Sequence, residues 1–206
     1  KHSDWCPKEF MSDTEVVAQG RLVVLRQKSM KDVHDDYAWR VDEELSSLDA
    51  TVPIRLSFEE FSRFFREEVE YPSPWSRRFS LDTLGGQHIG NCMYYDIDIK
   101  QGEAEIGIMI GERSYWAKEY GADSLRTLLN HIFMTTTLTR LYLHTLEWNH
   151  RARRCFIKAG FIEIKKVRRN SKDFILMEIW RADWDRTRRI RQKLAENEVK
   201  APPVIE

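Results

Sequence analysis

Three cysteines in 206 residues, Cys6, Cys92 and Cys155, are too few for a disulfide framework, and an odd number cannot pair completely. Their scatter matches no metal-ligand spacing, and the six histidines offer no pair at ligand spacing, so no bound metal is expected. Cysteine usage of this kind suits a reducing cytosol, and a cytoplasmic protein is expected. No apolar run approaches the roughly 20 residues that a membrane-spanning helix needs. The first residues show no signal-peptide core, so no membrane partner is expected. An excess of one charge is lacking too. Thirty-three Lys/Arg balance 33 Asp/Glu, and global charge selects no partner. Two phosphate-binding signatures are absent, Gly-x-x-x-x-Gly-Lys-Ser/Thr and Gly-x-Gly-x-x-Gly. There is no internal repeat and no low-complexity segment. What remains is one domain, long enough to bury a substantial core.

What the chain does have is local charge. Residues 32–70 hold twelve Asp/Glu against four Lys/Arg, and residues 140–193 hold sixteen Lys/Arg against six Asp/Glu. Two readings stand side by side: solvated helix faces, or an acidic part over a cationic acceptor and a basic part over an anionic cofactor. Nucleic acid is not an expected partner. The C-terminal arginines are interspersed with Asp183, Asp185, Glu196 and Glu198, and no aromatic residue follows Trp184.

In chain order, residues 1–14 read as a polar tail, 15–184 as the domain, and 185–206 as a charged helical tail. Residues 16–25 read as a strand, or as a hairpin broken at Gly20. Residues 30–45 read as one helix. Ser57 and Glu60 form a capping box for the next helix, which carries Phe58, Phe61, Phe64, Phe65 and Val69. That aromatic stripe reads as core rather than as a ligand box. Residues 77–84, 89–99 and 104–110 read as antiparallel strands joined at Gly85-Gly86 and at Lys100-Gln101-Gly102. A strand over 141–148, a helix from Asn149, a hairpin with strands over 161–168 and 174–180, and a helix from Arg181 complete the chain.

The stretch from Glu105 to Phe133 organises the rest. Ile106 to Ile110 is a short apolar run bounded by charge, as a buried strand is. Leu125, Leu128, Leu129, Ile132 and Phe133 then recur at helical spacing. The helix opens on Tyr120-Gly121-Ala122-Asp123, where its first N–H groups lack intrahelical partners. Gly121 has no Cβ, so a ligand can approach the backbone. Free amides and the positive end of the helix dipole suit a phosphate.

The next segment adds specificity. Asn149, Ala152, Phe156, Lys158, Gly160 and Phe161 stand in the register Asn-x-x-Ala-x-x-x-Tyr-x-Lys-x-Gly-Phe, and Trp116 to Gly121 precedes them. Together these resemble the GNAT acetyltransferase superfamily, in particular its ribosomal-protein N-terminal acetyltransferase branch (RimJ/RimL type). The resemblance runs over about residues 16–184. It implies a mixed α/β fold, a central, mostly antiparallel, twisted sheet of about seven strands flanked by helices. It implies acetyl-CoA as cofactor and a small-molecule or peptide amine as acceptor, and it leaves room for a homodimer. Three positions depart from the pattern. Trp116 stands where many members have Arg or Gln, Glu119 where a glycine is expected, and Phe156 where a tyrosine often protonates the leaving thiolate.

Carried onto this chain, the resemblance assigns cofactor contacts to Ile108, Met109, Ile110, Trp116, Lys118, Glu119, Tyr120, Gly121, Ala122, Asn149, Ala152 and Phe156. Ile108 and Ile110 would offer backbone groups to the pantetheine, and the amides of 118–122 would hold the pyrophosphate. Asn149 also reads as a helix N-cap with amide donors left over. With Phe156 unable to donate a proton, the thiolate would turn to Tyr120, Tyr142, His144 or water, or leave unprotonated, as a thiol is a fair leaving group. His144 itself reads as a strand histidine rather than an acid. Glu105 is the candidate general base, because burial favours the uncharged form of a carboxylate and a base must take up a proton. Glu103, two residues away on the same face, is the second choice. Asp42, Glu43, Glu44, Glu67 and Glu68 are candidates to attract the amine. The function this implies is acetyl-CoA-dependent N-acetylation of a primary amine: a protein N-terminus, a polyamine, an amino sugar or an aminoglycoside. The alternative is a non-catalytic acyl-CoA sensor on the same fold.

Overall fold

The computed structural model describes residues 15–200, so the tail assigned to residues 1–14, with Cys6, lies outside the described residues. Eight strands form one sheet in the order β1-β2-β3-β4-β5-β6-β8-β7. They are β1 Val16–Gln19, β2 Val23–Gln27, β3 Ser76–Thr83, β4 His88–Asp98, β5 Glu103–Ile110, β6 Arg140–Leu146, β7 Ile162–Arg169 and β8 Lys172–Trp180. Neighbours are antiparallel except β5 and β6, which run parallel and are joined by a helix, as parallel strands must be joined by a crossover. The count of eight rather than about seven comes from Gly20, where the first apolar run folds into the hairpin β1–β2.

Helix α4, Tyr120–Thr135, is that crossover. Leu125, Leu128, Leu129 and Ile132 are fully buried on its inner face, with Phe133 nearly so. They pack with Leu25, Leu81, Ile89, Leu141, Leu143 and Met177 of the sheet into the core. Each such side chain stabilises the fold by about 1.5–3 kcal/mol relative to exposure, so this face alone fixes α4 on the sheet. Helix α5, His150–Ala159, adds Phe156 and Ala159 to the same layer, and α6, Arg181–Lys200, adds Trp184 from its first turn. Among the described residues no helix is long and apolar enough to cross a membrane.

The other face carries α1 Val33–Val41, α2 Glu43–Leu48 and α3 Phe58–Glu70. Residues 30–45 do not form one helix. A short 3-10 turn over Met30–Asp32 leads into α1, which stops at Asp42, whose backbone is extended (φ −75°, ψ 125°). The Asp42 carboxylate accepts from the Leu45 amide at 2.8 Å and so starts α2. A side chain that satisfies a free N–H competes with helix continuation, and here it wins. The Ser57–Glu60 box does start α3, with both reciprocal bonds present.

A buried charge network ties α1 to the sheet. Arg26 forks onto Asp32 and Asp82 at 2.6 Å each, Lys28 pairs with Asp36, and His88 lies 3.3–3.4 Å from Asp82 and Asp36. Trp39 lies over His88 and against Gly111, where a Cβ would collide with the indole. The end of β5 is therefore held under α1 by a contact that only glycine allows.

Candidate active site

The parallel pairing of β5 and β6 lasts three residues, from Glu103 opposite Arg140 to Glu105 opposite Tyr142. Beyond that point β5 stays with β4 as far as Ile110, and β6 stays with β8 as far as Leu146. The two strands part, and a cleft of about 580 Å³ opens between them, within the size range of small-molecule sites. Backbone direction on its β5 wall follows from one bond. The Gly111 amide donates to Ile89 at 2.9 Å, so odd-numbered residues of β5 face β4. Ile108 and Ile110 therefore turn their N–H and C=O groups toward the opening. In agreement, the Ile110 carbonyl accepts from Trp116 Nε1 at 2.7 Å.

One end of the cleft is rich in donors. The amides of Tyr120, Gly121 and Ala122 begin α4 with no intrahelical acceptor, and the Glu119 side chain does not cap them. Gly121 faces Cys155 so closely that a Cβ would lie 3.0 Å from its Sγ. Arg151, Arg154 and Lys158 line this end, and Arg151 lies 3.6 Å over the Trp116 ring. Unpaired amides at a helix start, arginines and a close backbone approach are the donor set a diphosphate requires, and the residues present fit that of coenzyme A.

Glu119, where the resemblance leads one to expect glycine, keeps a backbone conformation that suits glycine but adds a side chain and a charge. Its φ is 66°, in the left-handed region where glycine is favoured, and its carboxylate pairs with Lys158 of α5. That hydrogen bond and the charge of Lys158 hold the carboxyl below its ordinary range. Asn149 caps α5, accepting from the Ala152 amide at 3.1 Å, and its amide NH2 has no partner among the described residues. Phe156 is buried edge-on against Phe161. Burial pushes the Cys155 thiol up to about 11, so it is a poor nucleophile at neutral pH.

The other end holds a carboxylate. Glu105 is buried at the point where the strands part, and its Oε1 lies 2.9 Å from His144 Nδ1 on β6. Tyr95 of β4 lies against the same carboxylate. Burial, then the charge and hydrogen bond of Glu105, raise its phenol well above the ordinary value. A bulge in β4 at Asp96 (φ 49°) follows directly and interrupts the pairing with β5. Leu45, Leu48, Asp49 and Ala50 cover this end from above, and Arg169 and Phe174 close it from the β7–β8 hairpin. Lys172 Nζ donates to the Ala50 carbonyl at 2.7 Å and links the two covers. Desolvation raises the Asp49 carboxyl, against a weaker opposing pull from Arg40.

Of the residues singled out from the sequence, Glu105, Ile108, Met109, Ile110, Trp116, Glu119, Gly121, Ala122, Asn149, Ala152 and Phe156 all line the cleft. Lys118 and Tyr120 do not. Lys118 is exposed, and the Tyr120 ring packs edge-on against Tyr115. Glu103 is paired with Arg140 at 2.6 Å, where β5 and β6 are still joined, and has no access to the opening. Asp42 and Glu44 are taken up by Arg113, and Glu68 by Arg78, while Glu43 and Glu67 lie off the cleft. Asp49 lines it instead. Of the candidate acids Tyr120, Tyr142 and His144, only His144 reaches it. Sequence reasoning missed Tyr95, Asp49, Arg151, Arg154, Cys155, Arg169 and Phe174. The basic run after Asn149 was the one available signal for the arginines. Among the described residues no group of three or more His, Cys, Asp or Glu is placed to hold a metal.

The acetyltransferase (GNAT) domain family matches residues 22–162. No curated protein matches the chain. Among solved structures, spermidine N-acetyltransferase from Vibrio cholerae, in complex with CoA and spermine, shares 20% identity over 79% of this chain and 97% of its own, with a TM-score of 0.70. Aminoglycoside acetyltransferase AAC(6')-Ib in complex with coenzyme A shares 21% over 81% and 99%, with a TM-score of 0.68. A GNAT-family acetyltransferase from Bacillus anthracis shares 15% over 80% and 98%, with a TM-score of 0.67. With the family match spanning more than half its length, around an opening between parallel strands that fits coenzyme A, this chain belongs to the GNAT acetyltransferases, enzymes that use acetyl-CoA.

Proposed function

We propose that the chain transfers the acetyl group of acetyl-CoA directly to a primary amine, and that it belongs to the RimJ/RimL-like branch. The observation that carries this reading is one cleft with phosphate donors at one end and a buried carboxylate at the other. Acetyl-CoA supplies a thioester carbonyl. Backbone groups of Ile108 and Ile110 orient it, and the amides of Tyr120 to Ala122 with Arg151 and Arg154 hold the diphosphate. Asn149 donates its free amide at the cofactor side, and Glu105 assists removal of the amine proton. The Asn149-to-Phe161 segment supports the branch assignment.

The acceptor end favours a cation. Glu105 and Asp49 line that end beside Arg169, two carboxylates against one guanidinium, so a protonated amine entering there meets a net negative charge. The solved structures that hold spermine or kanamycin make polyamines and amino sugars the first acceptors to test, with peptide N-termini beside them. The second reading, an acyl-CoA sensor, draws on buried Phe156 at the place of the usual proton donor. Thiol release from acetyl-CoA across a panel of these amines separates the two. Turnover with one class of amine is expected. Tight acetyl-CoA binding with no amine-dependent thiol release would leave the sensor.

A further inference from the structure

Glu105 is the obvious proton acceptor by position, yet one of its oxygens is already engaged by a neighbouring ring. Oε1 is bonded to His144 Nδ1 at 2.9 Å, and the Tyr95 hydroxyl lies against the same carboxylate. An ionised carboxylate only accepts, so the bond to His144 requires a proton on Nδ1. Arg169 Nη1 stands 3.4 Å from that same nitrogen, and a guanidinium cannot accept either. With Nδ1 protonated this long contact is donor facing donor, and the shorter, charge-assisted bond to Glu105 sets the tautomer. The lone pair of the ring is then on Nε2. His144 lines the cleft, and Nε2 has no partner among the described residues and is not among the buried polar atoms left unbonded. It is the accessible atom of the pair. Tyr142 lies edge-on to the ring at 6.0 Å.

We propose that Nε2 of His144 accepts the proton of the incoming amine, and that Glu105 is a positioning residue acting through the ring. This rests on the reading of the cleft as an N-acetyltransferase site. Nε2 takes one proton from the ammonium form, and Glu105 holds the imidazolium so formed. The freed nitrogen pair attacks the thioester carbonyl carbon, the C–N bond forms, and the C–S bond breaks with its electron pair leaving on sulfur. A second proton passes from the nitrogen to the sulfur through water, and the imidazolium returns its own to solvent. The sum is an acetamide, a thiol and one proton released.

Two measurements test the proposal. Long-range proton–nitrogen NMR of the ligand-free protein, at a pH where the ring is neutral, should show His144 protonated on Nδ1, with that preference lost in Glu105→Gln. In turnover, His144→Ala should lose roughly 10²–10⁴-fold in kcat/KM, the usual range for an acid–base group. Its acetyl-CoA affinity should be kept, and added imidazole should restore a large part of the rate. His144→Gln serves where the alanine variant does not fold. Imidazole should do nothing for Glu105→Gln. A ring protonated on Nε2, wild-type turnover in both His144 variants, or rescue of Glu105→Ala by formate while imidazole fails on His144→Ala would overturn the proposal. A wild-type protein that binds no acetyl-CoA and acetylates no amine would sink the functional reading instead, and the tautomer would still decide the pair.

Discussion

At the scale of single residues, charge placed in a dry setting decides most of what is testable. Glu105→Gln should lower kcat/KM by roughly ten- to a thousand-fold. The loss should shrink at high pH, where more of the amine is already neutral, and a pH profile of both enzymes checks it. His88 belongs to a different cluster. Burial opposes its charge, but hydrogen bonds to Asp36 and Asp82 outweigh that, and its pKa lies above the ordinary value of 6.5. Three carboxylates there, Asp32, Asp36 and Asp82, face two permanent cations, Arg26 and Lys28, so a protonated His88 balances them. A raised pKa contributes stability that is whole below about 6.5 and is lost as pH rises through the folded-state value. Melting temperature against pH should fall above that point in the wild type. The slope should flatten in His88→Gln, and an unchanged slope would remove His88 from the balance. Glu119 combines strain and charge. Glu119→Gly should raise the melting temperature, since φ 66° suits glycine. Glu119→Gln should free Lys158 and tighten acetyl-CoA at low salt, with less effect at high salt. If glycine stabilises and glutamine leaves affinity alone, the departure is conformational.

Elements differed in how legible they were. Helix α4 could be read because its apolar residues repeat at 3.6 and all five lie buried on the sheet. Leu128→Ala should cost about 2–5 kcal/mol in denaturant unfolding, as large cavities in well-packed cores do. The Ser57 cap was legible because both partners are three residues apart. The break at Asp42 was not. It depends on Asp42 preferring the Leu45 amide, and on Arg113, 71 residues away, holding the same carboxylate. Local pattern cannot report a partner that the fold supplies. The cleft shows the same division. Gly121, Ala122 and Asn149 could be found because a helix start announces itself in sequence. Tyr95, Arg169 and Phe174 could not, because strand pairing brings them beside Glu105 and His144 from three other strands. Glu103 was misplaced for a related reason. Alternation puts it on the face of Glu105, but it cannot show that β5 and β6 part only after Glu105.

For the molecule as a whole, the proposed function depends on a single sheet in which β5 and β6 pair over only three residues before they part. The core beneath is apolar and closed, while the opening turns the backbone groups of Ile108 and Ile110 toward a ligand. Local charge follows the same division. At the Glu105 end two carboxylates, Glu105 and Asp49, outnumber Arg169, and Arg151, Arg154 and Lys158 stand at the α4–α5 end, so one chain of zero net charge brings a net acidic and a basic end to one cleft. The central claim is that acetyl-CoA lies in this opening with its diphosphate on the first amides of α4. Titration calorimetry of acetyl-CoA into wild type and Gly121→Val tests it most directly. A Cβ at 121 would already meet Cys155 at 3.0 Å, and valine adds two methyl groups where the phosphates must approach. One site per chain is predicted for the wild type, with affinity at least roughly tenfold weaker in a Gly121→Val protein of native circular dichroism, about 1.4 kcal/mol. Equal affinity in that folded variant would place the cofactor elsewhere and contradict the account.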